Sequence, residues 1–333
     1  MGVGIISVGT ALPSKILTNF DLEKMVDTSD EWIITRTGIK TRYIAEDGIN
    51  PSDLGAEASL KALNRANMSP NDIDLIITTS SSPDMIFPPT CAIIQQKIGA
   101  KRAGGFDLLS ACTGFVSSLI TGAKFIESGD VKTVLIVGTE TISRLVDWQD
   151  RNTCVLFGDA AGAVILQEVG EGYGLISWNL HLDGEGAHLL EIPAGISRVP
   201  SSHESVDKRL HYIKMNGREV FKFSVRVIAE STEEALCKAN LSPKDLDWLI
   251  PHQANIRIIQ AGAERLGLPM EKVGITLDKY GNTSTASIPL TLEELLMNKK
   301  IKDGDLIAFV GFGAGLSWGT ALMRWKDIGN KRD

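Results

Sequence analysis

EASLKALNRANMSPNDIDLII, residues 57–77, recurs as ESTEEALCKANLSPKDLDWLI, residues 230–250, at a constant shift of 173. Identical pairs include Glu57/Glu230, Ala62/Ala235, Leu63/Leu236, Asn67/Asn240, Ser69/Ser242, Pro70/Pro243, Asp72/Asp245, Asp74/Asp247 and Ile77/Ile250. Each copy reads as a helix, an Asn-x-Ser-Pro-x-Asp turn and a buried strand. A fainter echo follows at a shift of 175, where Gly129-Asp130 precedes Val134–Val137 and Gly304-Asp305 precedes Leu306–Val310. Two similar halves predict a pseudo-twofold pair whose equivalent loops meet near the axis. Thr79 and Ser80 lie just past the first repeated strand, and His252 just past the second. Cys112, shifted by the same interval, lands beside Asn282. The duplication therefore directs Cys112, His252 and Asn282 to one place.

Length and composition bound the answer. At 333 residues and 36.0 kDa the chain suits about two domains or one large duplicated one. Hydrophobic content of 43% with 32 glycines fits a compact α/β core. A net charge of −7 argues against nucleic acid as the main partner. Cys91, Cys112, Cys154 and Cys237 form no Cys-x-x-Cys pair, the pattern of a reduced, cytoplasmic protein without a zinc site or disulfide framework. The N-terminus opens directly into the strand-like Val3–Val8, so no signal peptide is expected, and Ile6 breaks the myristoylation pattern after Gly2. Leu306–Met323 carries no charge, but its four glycines suit two buried strands joined by a turn rather than a membrane span.

Strand signals fall at Ile5–Val8, Leu75–Thr79, Gly105–Leu108, Val134–Val137, Ala163–Leu166, Leu175–Trp178, Trp248–Ile250, Leu306–Val310 and Thr320–Arg324. Helical periodicity runs over Asp53–Asn67, Ala92–Ile98, Thr113–Ser128, Glu219–Asn240, Ile256–Leu266 and Ala286–Met297. The alternation predicts layered α/β structure with largely parallel sheets. Asp30–Pro51 and Asn179–His211 are polar insertions without strong periodicity. The boundary between halves, 1–172 and 173–333, falls near Gly170–Gly174.

Cys112 follows a buried strand and opens a long helix. Such a thiol faces the positive end of the helix dipole, which favours thiolate, although a free cysteine is usually just a small buried hydrophobe. His252, in Pro251-His252-Gln253-Ala254-Asn255, ends a strand at the sheet's carboxyl edge, a natural place for a catalytic group. His181, His188, His203 and His211 read as loop or surface residues. Asn282, in Gly281-Asn282-Thr283-Ser284, doubles as a turn and cap residue; its amide can donate to a developing oxyanion without titrating. Gly311-Phe312-Gly313-Ala314-Gly315 does not fit a nucleotide-binding loop, and reads as backbone able to approach a ligand and offer an N–H. Lys214, Arg218, Lys222 and Arg226 recur every four residues, so on a helix they form one basic stripe, either solvated or a dock for an acidic partner.

Taken together, these residues resemble the β-ketoacyl-(acyl-carrier-protein) synthase III family of the thiolase superfamily. The resemblance covers essentially the whole chain: Thr28-Ser29-Asp30-Glu31-Trp32-Ile33, Arg36-Thr37-Gly38-Ile39, Ala111-Cys112-Thr113-Gly114-Phe115, Phe157-Gly158-Asp159-Ala160-Ala161-Gly162, the His252 and Asn282 segments, and Ser317-Trp318-Gly319. It implies a duplicated five-layered α/β/α/β/α fold, a homodimer, and the first condensation of fatty acid synthesis. By that resemblance an acyl-CoA would acylate Cys112, and malonyl-acyl carrier protein would lose carbon dioxide and attack the thioester. His252 and Asn282 would hydrogen-bond the malonyl thioester oxygen, and the backbone N–H groups of Cys112 and Ala314 would hold the other oxyanion. Trp32 and Arg151 would hold the adenine of CoA, with Thr28, Arg36 and Asn255 lining the approach. Gln253, Ala254, Asn255, Ile256 and Arg257, with Lys214 and Lys222, would meet the carrier protein, and Phe87 would reach the partner subunit's acyl pocket. No cofactor or metal is implied, acyl-CoA being a substrate. If the helix dipole depresses the thiol, neither His252 nor Asn282 need take its proton. The chain departs from the family's usual pattern at Arg218, Ala314 and Glu264.

Alternatives remain open at this stage. A thiolase would need a second cysteine near the glycine loop, and elongating synthases use two histidines where this chain has Asn282 in the third place. Plant-type polyketide synthases, hydroxymethylglutaryl-CoA synthases and other condensing enzymes of secondary metabolism share related Cys/His/Asn logic. A cysteine hydrolase orders the three residues in the same way. A non-catalytic carrier-binding partner is the reading from another class, against which the retained Cys112 argues.

Overall fold

Two mixed sheets carry the molecule. The computed structural model describes residues 2–327; Met1 and residues 328–333, the outer ends of the two expected halves, lie outside the described residues. The first sheet holds β1 (Val3–Ala11), β2 (Leu75–Thr79), β3 (Gly104–Asp107), β4 (Val134–Glu140) and β5 (Ala160–Glu168) in the order β1-β5-β4-β2-β3. The second holds β6 (Gly174–Leu182), β7 (Trp248–Pro251), β8 (Leu306–Gly313) and β9 (Ser317–Arg324) in the order β7-β8-β9-β6. The chain passes from one sheet to the other over 169–173. The principal helices are α1 (Asp30–Thr37), α2 (Pro51–Arg65), α3 (Thr90–Ile98), α4 (Gly114–Glu127), α5 (Gly217–Lys238), α6 (Ile256–Arg265) and α7 (Ser287–Met297).

Three apolar clusters stack these elements into five layers. Leu54, Ala58 and Leu63 of α2, with Ile94 of α3, pack on one face of the first sheet against Leu135, Val137 and Ile165. Phe115, Val116 and Leu119 of α4, with Ile288 and Leu292 of α7, fill the space between Ile77, Ile136 and Val164 of the first sheet and Ile250, Ile307 and Phe309 of the second. Val227, Ile228 and Leu236 of α5, with Ile258 and Ile259 of α6, cover the far face of the second sheet against Leu249, Ala308, Val310 and Leu322. Each such side chain contributes roughly 1.5–3 kcal/mol by leaving water, so the central helices, buried from both sides, tie the halves together most strongly.

The repeated unit keeps its geometry in detail. Asn67 and Asn240 close their helices in the left-handed region, at φ 52° and 56°, which asparagine tolerates better than most side chains. Met68 N–H returns to the Leu63 carbonyl at 3.0 Å and Leu241 N–H to the Leu236 carbonyl at 2.9 Å, the same cap twice. Ser69 with Asp72, and Ser242 with Asp245, form matching capping boxes on the next turn. Asp74 then accepts the N–H groups of Lys132 and Thr133 at 2.9 and 3.0 Å, and Asp247 that of Leu306 at 2.9 Å. In both copies a buried strand is thereby stitched to the next strand of its sheet.

Two expectations are corrected. The sheets are mixed rather than largely parallel: β2 pairs in parallel with β3 and β4, and β7 with β8, while β1–β5, β4–β5, β8–β9 and β9–β6 are antiparallel. The three-residue link 314–316 between β8 and β9 leaves room only for a hairpin. Asp30–Pro51 is no irregular insertion either, because Ser29 caps α1 through the Trp32 N–H and Gly38, at φ 82°, ends it. No helix among the described residues is long and apolar enough to cross a membrane, and Leu306–Met323 is the β8–β9 hairpin.

Candidate active site

Cys112 lies on a single 3₁₀ turn, Ala111–Thr113, between β3 and α4. Ala111 takes φ 43°, a conformation costly for a residue with a Cβ. The elbow is wedged between the ends of strands from both halves. A Cβ on Gly114 would come within 2.0 Å of Thr79 Oγ1, and one on Gly313 within 2.7 Å of Cys112 Cβ, so only glycine allows this approach. Thr113 Oγ1 and Ser317 Oγ meet at 2.9 Å across the halves.

His252 continues β7, its N–H bonded to the Val310 carbonyl at 2.8 Å. The ring lies edge-on to Phe312, with Nδ1 2.8 Å from Ser287 Oγ. Burial pushes its pKa down to about 3, which makes it a neutral imidazole at physiological pH. Asn282 is pinned on both sides of its backbone, N–H to the Leu156 carbonyl at 2.9 Å and carbonyl to the Gly158 N–H at 3.0 Å. Its Oδ1 accepts the Ser284 N–H at 3.0 Å, so Nδ2 is the group left to donate.

Cys112, His252 and Asn282 all line one cavity of about 790 Å³. Trp32, Arg36, Ala254, Asn255, Lys214 and Arg218 line it as well. Arg151 stacks on the Trp32 ring at 4.9 Å and Arg36 lies 5.9 Å from the same ring centroid. Asn255 Nδ2 donates to the Arg36 carbonyl at 2.9 Å. Thr28 and Arg151 stand outside the lining. A second cavity of about 580 Å³ meets the first at Cys112, Phe157 and Leu190 and is walled by Leu109, Ile142, Leu145, Ile192, Ile213 and Ala314. The thiol therefore stands where a polar-mouthed channel meets an apolar one.

Several expectations change here. The thiol is not depressed: desolvation pushes Cys112 up to about 11, with the Ser284 hydroxyl opposing and the Glu140 carboxyl adding to the rise. Burial outweighs the favourable polar contacts at this turn. Gln253 is internal and 1% exposed, its Nε2 donating to the carbonyls of Pro251 and Gly274 and its Oε1 accepting the N–H groups of Thr276 and Leu277. It has no atom left for a docking partner; Ala254, Asn255 and Ile256 are half-buried, and only Arg257 of that segment is exposed. The basic stripe is broken as well. Helix α5 begins at Gly217 behind the Asn216 cap, so Lys214 lies off it and pairs with Asp147 at 3.7 Å, while Lys222 and Arg226 pair with Glu219 and Glu230. Arg257 nonetheless reaches the same end of α5, its guanidinium 5.7 Å from the Phe221 ring. Phe87 is 81% exposed and lines neither cavity of its own chain. His188, read as a loop residue, lines the first cavity.

Sequence reasoning missed Ser284, whose Oγ approaches Cys112 Sγ at 3.5 Å, and Glu140, fully buried at the end of β4. The only signal for Glu140 was a lone carboxylate closing an apolar strand. Among the described residues no group of three or more His, Cys, Asp or Glu side chains could hold a metal ion.

Comparison with known proteins fits this geometry. Residues 106–184 match the family model described as 3-Oxoacyl-[acyl-carrier-protein (ACP)] synthase III, and residues 236–325 its C-terminal counterpart. The chain is 52% identical to the beta-ketoacyl-[acyl-carrier-protein] synthase III of Caldanaerobacter subterraneus, over 98% of each chain, and 49% identical to that of Desulfitobacterium hafniense, over 99% of each. The crystal structure of 3-oxoacyl-[acyl-carrier-protein] synthase III from Aquifex aeolicus superposes with a TM-score of 0.90 at 44% identity, covering 97% of this chain and 100% of that one. The priming β-ketosynthase of the R1128 polyketide pathway gives the same TM-score at 34% identity, covering 98% of this chain and 97% of that one. The chain belongs to the 3-oxoacyl-[acyl-carrier-protein] synthase III family and has its duplicated thiolase-type fold.

Proposed function

We propose that this protein is the β-ketoacyl-acyl-carrier-protein synthase that initiates fatty acid synthesis, joining an acyl-CoA primer to malonyl-acyl carrier protein through an acyl-Cys112 intermediate. The observation that carries the reading is the placement of Cys112 at the junction of two cavities, with His252 and Asn282 on the polar side only. The apolar cavity suits the primer's acyl chain, and the other suits a pantetheine arm entering past Trp32 and Arg36. In this reading Arg151 and Trp32 hold the adenine, with Thr28, Arg36 and Asn255 along the approach. Cys112 N–H and Ala314 N–H face the acyl oxyanion. His252, neutral, and Asn282 Nδ2 hold the malonyl thioester oxygen as carbon dioxide leaves; one such donor is worth about 2.7–4 kcal/mol. No cofactor is called for.

The halves 1–172 and 173–333 contribute unequally in this reading, the first supplying the nucleophile and the second the oxyanion donors. Arg257 and Lys222, with Arg218 at the cavity mouth, supply the charge that would meet an acidic carrier. A homodimer is supported by the exposed Ile86, Phe87, Leu109 and Leu182, alongside β3, a sheet-edge strand whose residues are largely exposed. The partner's copy of Phe87 would then close the apolar cavity. A cytoplasmic location follows from the reaction. Identity of 52% to the Caldanaerobacter beta-ketoacyl-[acyl-carrier-protein] synthase III, against 34% to the polyketide priming enzyme, supports fatty acid synthesis over secondary metabolism.

Labelled acyl-CoA alone should leave one acyl group on the protein, mapped by peptide mass spectrometry to Cys112. An acyl group on Cys91, Cys154 or Cys237 would overturn the assignment.

A further inference from the structure

Gln253 follows His252 directly in the chain, and its buried side-chain amide makes four hydrogen bonds. Nε2 donates to the Pro251 carbonyl at 2.8 Å and to the Gly274 carbonyl at 3.1 Å. Oε1 accepts the N–H groups of Thr276 at 3.0 Å and Leu277 at 3.3 Å. A carbonyl only accepts and a backbone N–H only donates, so these partners fix which way the amide points. They belong to two segments. One is the end of β7, which runs into His252; the other, 274–277, leads through the helical turn Leu277–Tyr280 and Gly281 to Asn282.

The turn Leu277–Tyr280 has no side-chain cap of its own. Thr276 Oγ1 meets Thr291 Oγ1 at 2.7 Å instead, so Gln253 Oε1 supplies from another segment the acceptor that the first N–H groups need. At the far end the Gly281 N–H returns to the Leu277 carbonyl at 2.9 Å, and the Asn282 N–H is held by the Leu156 carbonyl at 2.9 Å. A second tie runs through the backbone of Gln253, whose N–H donates to Ser287 Oγ at 3.3 Å, the same oxygen that lies 2.8 Å from His252 Nδ1. An apolar side chain of equal length could fill this space, but it would leave two carbonyls and two N–H groups buried without these partners. One buried amide thus joins the strand end that bears the imidazole to the turn that bears the asparagine.

We infer that Gln253 is a positioning residue for the decarboxylative step: its amide sets the spacing between His252 and Asn282, so that both donors reach one oxygen of the malonyl thioester. No bond forms or breaks at Gln253. Donors that share an oxyanion must be held to within about 0.5 Å, and their supporting contacts decide whether they are. The acylation of Cys112 does not call on this spacing.

The inference rests on His252 and Asn282 acting in malonyl decarboxylation, so His252→Ala and Asn282→Ala are measured alongside in the full-length enzyme. If both leave decarboxylation intact, the functional reading fails and the clamp falls with it; if they impair it and the Gln253 variants do not, the clamp alone fails. Gln253→Glu keeps the shape but turns a carboxylate toward two carbonyls, and only its protonated form can donate to either. Burial against those carbonyls raises the pKa of the new carboxyl, so decarboxylation should be best at low pH and fall as pH rises through that raised value. The expected loss is about 10–100-fold, the scale of an ångström-sized misplacement, along a limb that the non-titrating wild-type amide lacks. Acylation of Cys112 by acyl-CoA should fall far less. Gln253→Asn withdraws the amide by one carbon–carbon bond, about 1.5 Å, without adding charge, and tests the clamp even where Gln253→Glu does not fold. It should slow decarboxylation in the wild-type background and add almost nothing to Asn282→Ala, because the donor it positions is already gone. Fully additive losses with Asn282→Ala, or equal losses in both half-reactions, would overturn the inference.

Discussion

In the first copy of the repeated unit, Asn67 closes the helix, Ser69 and Asp72 box the turn, and β2 runs out into Thr79 and the serine-rich 80–82 loop. In the second, Asn240, Ser242 and Asp245 do the same work, and β7 runs out into His252. The two asparagines agree to a few degrees in φ and the cap hydrogen bonds to a tenth of an ångström, and the outlets are chemically opposite. One outlet gathers hydroxyls and amides around a buried carboxylate, and the other presents a neutral imidazole to a cavity. A duplicated scaffold can hold a nucleophile from one half against donors from the other because strand ends near a pseudo-twofold axis face each other. The frame is under a packing constraint in both copies. The outlets are free to diverge.

The comparison breaks first at the outlets. His252→Ala or Asn282→Ala should slow malonyl decarboxylation by roughly 10²–10³-fold, the cost of removing one preorganised oxyanion donor. Cys112 acylation should fall much less, because both residues line only the polar cavity; stopped-flow acylation beside a decarboxylation assay separates the two. Comparable loss in both half-reactions would mean that the second half also activates the thiol, and the division of labour would fail.

A smaller effect is expected at the rim. Reversing Lys222 and Arg257 to Glu together should weaken turnover with malonyl-acyl carrier protein by about tenfold, and by far less with acyl-CoA in the acylation step. The wild-type carrier interaction should also weaken with salt, since the Debye length is about 8 Å at physiological ionic strength. A salt-insensitive KM for the carrier would count against electrostatic docking at the ends of α5 and α6.

The smallest effect tests the frame itself. Ser69→Ala and Ser242→Ala each remove one side of an equivalent capping box and should each destabilise the fold by about 1 kcal/mol, read from denaturant midpoints. Activity per folded molecule should be unchanged in both. Unequal losses would show that one copy carries more of the fold than the repeat implies.

Much of this molecule was legible in its residues. The repeat, the alternation of strands and helices, and the choice of Cys112, His252 and Asn282 all follow from local patterns: apolar period, turn chemistry, and reactive side chains at strand ends. The helix Asp30–Thr37 was missed because its apolar spacing is short and irregular, so capping by Ser29 and Gly38 had to define it. The ionisation of the site was misjudged for a different reason. A helix N-terminus is visible in a sequence, whereas the depth at which a thiol is buried is a sum over neighbours drawn from everywhere in the chain. Tertiary packing therefore decided that Cys112 is held protonated and His252 neutral. It also turned Gln253 inward and brought Ser284 against Cys112. What the sequence by itself determined was which elements form and which residues end them, because those depend on neighbours a few positions away. What only the tertiary structure decided was which of those ends are dry, which are paired and which touch, because desolvation and contact depend on residues brought together from distant parts of the chain, 204 positions apart for Thr113 and Ser317.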